Sequence, residues 1–230
     1  QSCDMERMMR IAKKYHLYVV EDCAQSHGAT QNGKMTGTFG DIGCFSFYPS
    51  KNLGAFGDAG AIVTDNDEIA QLFRVFRNYG SEKRYYNQMI GTNSRLDEIQ
   101  AAMLRVRLKH LEELNAERRA ICNRYLSEIR NPRIMMPKVR NGCETVWHQF
   151  VIRTKTRERF RNYLTENHIA TLIHYPIPPH MQKAYEYLGL QEGDFAIAEE
   201  YAGEVLSLPL YHGMTKEEVD TVITVINRYV

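Results

Sequence analysis

The chemistry of this sequence centres on one lysine. Lys51 lies in Phe45-Ser46-Phe47-Tyr48-Pro49-Ser50-Lys51-Asn52-Leu53-Gly54. The aromatic and small residues from Gly43 to Phe47 suit a buried strand. Pro49 fixes its own backbone and biases Tyr48 away from helix. Gly54, Gly57 and Gly60 permit a tight return. A lysine amine attacks a carbonyl only when unprotonated, and apolar or cationic surroundings favour that form. Taken alone, the stretch fits a solvated loop lysine better.

A second group precedes it. Glu21-Asp22-Cys23-Ala24-Gln25-Ser26-His27-Gly28 follows the apolar run Leu17-Tyr18-Val19-Val20, which reads as a buried strand. In α/β folds, ligand groups gather at the carboxyl ends of strands. Successive strand residues point to opposite faces, so only one of Glu21 and Asp22 can face a ligand there. His27, beside Gly28, is expected to orient the turn. His148, beside Trp147, reads as a half-buried strand residue. His180, His212, Tyr85 and Tyr86 receive no assignment.

The elements that must hold these residues alternate. Met5, Met8, Met9 and Ala12 fall at helical spacing before the first strand. Asn32-Gly33 is a hairpin turn signal. Ala59 to Thr64 predicts a strand, and Asp65 or Asn66 can cap the next helix, whose apolar face is Ile69, Leu72, Phe73 and Phe76. Residues 81–89 read as an exposed loop. Ser94 with Asp97 resembles a capping box. The stripe from Leu96 to Leu114, resumed by Ile121, Tyr125 and Ile129, predicts one long helix or two in tandem. Beyond Asn131-Pro132, strands are expected at 145–154, 170–175 and 206–210. Helices are expected at 157–167, 184–188 and 195–205, with a last one capped by Thr215. The expected partition is 1–105 in a large domain, 106–127 in a linking helix and 128–230 in a small α+β domain.

Composition narrows the class. Of 230 residues, 43% are hydrophobic, and 29 Lys and Arg against 28 Asp and Glu leave a net charge of +1. That balance argues against a nucleic-acid footprint or a polybasic membrane patch. No apolar run is long enough for a membrane span. Five scattered cysteines without a C-x-x-C spacing read as reduced thiols of a cytoplasmic protein, with no metal site. The chain opens on Gln1-Ser2-Cys3 and is at once helical in pattern, so it reads as entered midway.

Three motifs stand in order: Glu21 to Gln25, Phe45-Ser46-Phe47 with Lys51-Asn52-Leu53-Gly54, and Gly91-Thr92-Asn93-Ser94-Arg95-Leu96-Asp97-Glu98-Ile99-Gln100-Ala101-Ala102. Together they resemble the DegT/DnrJ/EryC1/StrS family of sugar aminotransferases. The likeness covers essentially the whole chain but only the later part of a family member. It implies an α/β fold of fold-type I, with part of the large domain followed by the small C-terminal one. It also implies the cofactor pyridoxal 5′-phosphate (PLP). Lys51 matches the lysine that bonds to PLP and moves the proton in transamination. Asp22 matches the carboxylate under the pyridine nitrogen, and Gln25 a residue at the phenolic oxygen or ring face. Ser46 matches a phosphate-binding hydroxyl. Asn93 matches an asparagine reaching the phosphate of a neighbouring subunit, which implies a homodimer with shared sites. By sequence alone it fits almost as well a position just outside a helix cap. His174 and Tyr175 end a strand where sugar-nucleotide contacts occur in the family.

The resemblance further implies a nucleotide-linked keto sugar as substrate, with glutamate as the amino donor. Arg77-Asn78-Tyr79-Gly80-Ser81 with Asn93 to Asp97 looks closest to 3-aminotransferases acting on dTDP-3-keto-6-deoxyhexoses. A UDP- or GDP-sugar 4-aminotransferase is the nearest alternative enzyme. A non-catalytic homologue or dimerisation fragment is the alternative from another class. A sugar dehydratase is disfavoured because Lys51 is present. The family's Gly-Thr phosphate loop and ring-stacking aromatic residue match nothing here, so weak PLP binding by this chain alone is expected.

Overall fold

A computed structural model describes residues 1–230. Asp4 accepts a hydrogen bond from the Arg7 N–H and starts helix α1, Met5–Tyr15, which buries Met5 and Ala12. Strand β1, Val20–Asp22, runs parallel to β4, Ile42–Ser46, which pairs antiparallel with β5, Gly60–Val63. The order is β1-β4-β5, so β1 is an edge. Its approach is not the buried strand expected: Leu17 and Tyr18 precede the ladder and are 58% and 86% exposed.

Between β1 and β4, the hairpin of β2, Thr30–Gln31, and β3, Lys34–Met35, turns on Asn32 and Gly33, both at positive φ. That is the geometry an Asn-Gly turn favours. Asn66 caps helix α2, Asp67–Phe76, through bonds from the Glu68 and Ile69 N–H groups. The expected loop after it contains a short hairpin, β6 (Ser81–Lys83) with β7 (Tyr86–Asn87). Two helices follow, α3 (Glu98–Leu108) and α4 (Leu111–Glu128). Asp97 is the N-cap of α3 and makes no side-chain capping bond. Ser94 lies three residues too early for the expected box.

The chain divides into two units, Gln1–Ala116 with Val139–His148, and Glu117–Lys138 with Gln149–Val230. Against the expected partition, 106–127 is divided between the units after Ala116, and Val139–His148 falls in the first. Strand β8, Cys143–Glu144, pairs with β2 and ties that segment to the first unit.

In the second unit, β9 (Phe150–Arg153) pairs antiparallel with β10 (Val205–Leu208). The strand expected from Thr145 starts only at Phe150, because Trp147 has φ 45° and its N–H bonds to the Thr145 hydroxyl. Left-handed backbone cannot continue a ladder. Residues 170–175 make only an isolated bridge, between Leu172 and Ser207, and Lys183–Leu188 is 3₁₀ rather than α. Helices α5 (Arg157–Glu166), α6 (Ala196–Glu204) and α7 (Lys216–Arg228) complete the unit. Its core joins Phe150, Ile152, Leu206, Phe160, Leu164, Tyr125 and Ile226, all fully buried. Thr215 and Glu218 form a reciprocal capping box on α7. No helix is long and apolar enough to cross a membrane.

Candidate functional site

Strand alternation separates the two acids. Glu21 is buried, and its carboxylate accepts from the N–H groups of Gly37 (2.8 Å), Phe39 (2.6 Å) and Gly40 (2.8 Å). It clamps a loop. Gly37 must be glycine there, since a Cβ would strike the Phe45 ring and φ is +87°. Asp22 ends β1 with an exposed side chain, and its Oδ1 accepts from the Ala24 N–H at 3.0 Å. Asp22 is in register with Cys44 of the parallel neighbour β4. Burial, and then the Asp22 charge, push the Cys44 thiol up.

Two residues beyond Cys44, β4 ends at Ser46, whose Oγ accepts from the Tyr48 N–H at 3.3 Å. The Lys51 N–H then closes a turn onto the Tyr48 carbonyl at 2.9 Å. A Cβ on Gly54 would collide with the Pro49 carbonyl, so the return passes against the turn only as glycine. Leu53 and Ala55 beyond it are buried against Leu104, with Phe47 and Leu96 packed alongside. Lys51 itself is half-buried. The amine is therefore carried on a turn anchored by buried apolar residues, at the carboxyl end of the strand adjoining Asp22.

Gln25 is exposed on the turn after β1. His27 is 3% exposed, its ring 5.5 Å from that of Phe45 and 5.8 Å from that of Phe47. Burial pushes its pKa down to about 4. The Ser46 backbone partly opposes this, and the Lys51 charge adds to it. Neither ring nitrogen meets a partner in hydrogen-bonding geometry, and the buried Ser26 hydroxyl is in the same position. His27 is thus a neutral wall of the Lys51 turn.

Sequence reasoning missed Asn115 and the linkage of three residues around this turn, and His148, expected as a half-buried strand residue, is half-buried but precedes β9. Asn52, Asn115 and His148 are linked by side-chain hydrogen bonds, with Asn52 and Asn115 4% and 0% exposed. Asn115 lies four residues after Leu111, on the same face of α4. A buried asparagine on an apolar helix face was the available signal.

Asn93 is exposed, forms an antiparallel bridge with Asn78 and accepts from Arg95 Nε at 3.2 Å. Beside it is a cleft of about 380 Å³ whose lining includes Asn78, Tyr79, Arg84, Tyr85 and Arg95. In the second unit, His174 Nδ1 is 2.9 Å from the Ser207 hydroxyl, and the exposed Tyr175 lies edge-on to its ring. Asp22 and Ser46 thus end neighbouring strands of the first unit, and Gln25 and Lys51 lie on the turns that follow them. His180, unassigned by sequence, pairs with Glu199 at 2.8 Å. That carboxylate lies below its usual range because it accepts from the Gly193 N–H and then from His180.

The model of the DegT/DnrJ/EryC1/StrS aminotransferase family matches residues 1–227. The chain belongs to this family. Among curated family members, it is 54% identical to the dTDP-3-amino-3,6-dideoxy-alpha-D-galactopyranose transaminase of Aneurinibacillus thermoaerophilus, over 100% of this chain and 62% of that one. It is 42% identical to the UDP-N-acetyl-3-dehydro-alpha-D-glucosamine 3-aminotransferase of Acidithiobacillus ferrooxidans, over 98% and 60%. A crystal structure of Streptomyces venezuelae DesV in complex with a ketimine intermediate superposes with a TM-score of 0.97 at 42% identity, covering 100% of this chain and 63% of that one. The chain spans about three-fifths of the length of these relatives. The likeness places the fold in the fold-type I class of the family.

Proposed function

We propose that the protein transfers an amino group from an amino acid, with glutamate the expected donor, to the keto carbon of a nucleotide-linked sugar, using PLP. The observation that supports this reading is that Asp22 ends β1 while Lys51 sits on the turn that follows the parallel neighbour β4, with Glu21 turned to the opposite face. The donor set fits the cofactor chemically. It offers a carboxylate for a ring N–H, an amide and a hydroxyl for oxygens, and an amine for an aldehyde.

When bound, PLP supplies an electron sink for the pair released as a proton leaves the carbon bearing the amine. Lys51 Nζ takes that proton and delivers it to the neighbouring position; in the second half it moves the proton in reverse. Asp22 would accept the ring N–H and hold that nitrogen protonated. Gln25 would hold the ring in place, and Ser46 Oγ would donate to the phosphate. Neutral His27 keeps a second positive charge away from the Lys51 amine. Asn93 would reach the phosphate held by a second copy of the chain, which would make the working form a homodimer. His174 and Tyr175 bind the sugar nucleotide.

An absorbance scan with excess PLP tests the assignment. With PLP at saturation and the free cofactor's absorbance subtracted, a near-visible band is expected, and it should be lost in Lys51→Ala. Its persistence in the variant refutes the role of Lys51. The sequence identity to the Aneurinibacillus enzyme favours a dTDP-3-keto-6-deoxyhexose. The similarity to the Acidithiobacillus enzyme supports a UDP-linked substrate as second reading. Parallel assays with dTDP-, UDP- and GDP-keto sugars separate them. Failure with every dTDP sugar ends the first preference.

A further inference from the structure

The buried amides behind Lys51 have a determinate orientation. Asn52 Nδ2 lies 2.8 Å from the Val146 carbonyl and 2.9 Å from Asn115 Oδ1. A carbonyl oxygen only accepts, so the nitrogen of Asn52 must face it, and both amide hydrogens are committed. Asn115 Nδ2 lies 2.9 Å from the His27 carbonyl, which fixes the second amide by the same reasoning. The atom of Asn52 facing His148 is therefore Oδ1, an acceptor. His148 Nδ1, 3.2 Å away, must carry a hydrogen.

The bonds join four pieces of chain: the residue after Lys51, the turn that carries Gln25 and His27, helix α4 and the segment before β9. The close approach of α4 is built in. Gly28 has φ +87°, and a Cβ there would come within 3.1 Å of Asn115 Nδ2.

We infer that Asn52, Asn115 and His148 are positioning residues, which set the Lys51 amine against the Asp22–His27 turn. A local anchor for the Lys51 turn would need only its own backbone bonds and Leu53. This network instead locks that turn to the other half of the site, so the separation of amine and carboxylate cannot drift independently. Buried polar networks specify one geometry when every member is satisfied. His148 is the half-buried member of the network. The inference rests on reading Lys51 as the reacting amine.

The test uses the whole chain without and with PLP. Lysines are reductively ¹³C-methylated in the cofactor-free protein, and the Lys51 resonance is assigned by its loss in Lys51→Ala. His148→Ala removes the N–H at the rim, whereas His148→Asn places an amide N–H near it. We expect His148→Ala to displace the Lys51 methyl resonance and to raise amide exchange at Asn52–Ala55 about tenfold. His148→Asn should restore both. Asn115→Ala should give a larger effect where it folds; the His148 pair decides the matter if it does not. A fall in melting temperature with the Lys51 resonance and local exchange unchanged would show a merely structural network and overturn the inference. If both respond as expected while the PLP band persists in Lys51→Ala, the network stands and the proposed function fails. If the band is lost in Lys51→Ala while the His148 and Asn115 variants leave resonance and exchange unmoved, the function stands and the network does not.

Discussion

The two units hold themselves together by different means. Fully buried large side chains are concentrated in the second: Tyr125, Phe150, Ile152, Phe160, Leu164, Leu206 and Ile226. Its polar groups mostly trim that core, as where the Tyr125 hydroxyl donates to the Pro209 carbonyl at 3.0 Å. In the first unit the fully buried residues are Cys23, Ala29, Asn115 and Val146, and polar clamps work beside the apolar cluster of Leu53, Ala55 and Leu104. Glu21 gathers three backbone N–H groups, and the Asn52–Asn115 pair gathers two carbonyls. Apolar packing is non-directional and tolerates small shifts. Hydrogen-bonded clamps are directional and fix angles. Around the candidate chemistry, directional clamps fix angles that the apolar cluster alone would leave loose.

Four predictions press on this contrast. The largest effect is expected in the apolar unit. Phe160 is fully buried with its ring 4.8 Å from that of Tyr229. Phe160→Ala should cost about 3–5 kcal/mol, read as lost hydrogen-exchange protection in β9 and β10. A loss under about 1 kcal/mol would mean that the core is not its main support.

Next comes a pH effect in the first unit. His27 is depressed from 6.5 to about 4 by burial, so between those values the unfolded chain binds the extra proton. Stability should fall as pH drops from about 6.5 to about 4, by on the order of 3 kcal/mol, and level off below. Melting curves across that window check this, and His27→Asn should flatten the slope. An equal slope in the variant assigns the effect to other groups.

Glu21→Gln replaces an oxygen that accepts a backbone N–H with an amide that cannot. About 2 kcal/mol should be lost, with faster exchange at Gly37, Phe39 and Gly40. Unchanged exchange there would remove the clamp from the comparison. The smallest effect belongs to a cap in the second unit. Thr215→Ala should lower stability by about 1 kcal/mol, confined to the first turn of α7. A loss as large as that from Phe160→Ala would blur the distinction between the units.

Local rules were legible where the chain decides its own conformation. The Asn32-Gly33 hairpin, the Asn66 and Thr215 caps and the apolar face of α7 follow from residue type and spacing, because each depends on neighbours a few positions away. The opposed directions of Glu21 and Asp22 follow from strand alternation for the same reason. The ordered motifs around Asp22, Lys51 and Asn93 were enough to indicate the family.

Other features depend on partners distant in sequence. The loop amides met by Glu21 lie 16 to 19 residues away, and Asn115 meets the His27 carbonyl across 88. The β8 segment joined the first unit through pairing with β2, which no local pattern encodes. Trp147 took a left-handed conformation that broke an apolar run with good strand propensity. Composition settles which groups are available and how short stretches bend. Which buried amide faces which carbonyl is decided only when packing excludes water, and every polar group must then find its partner within the fold.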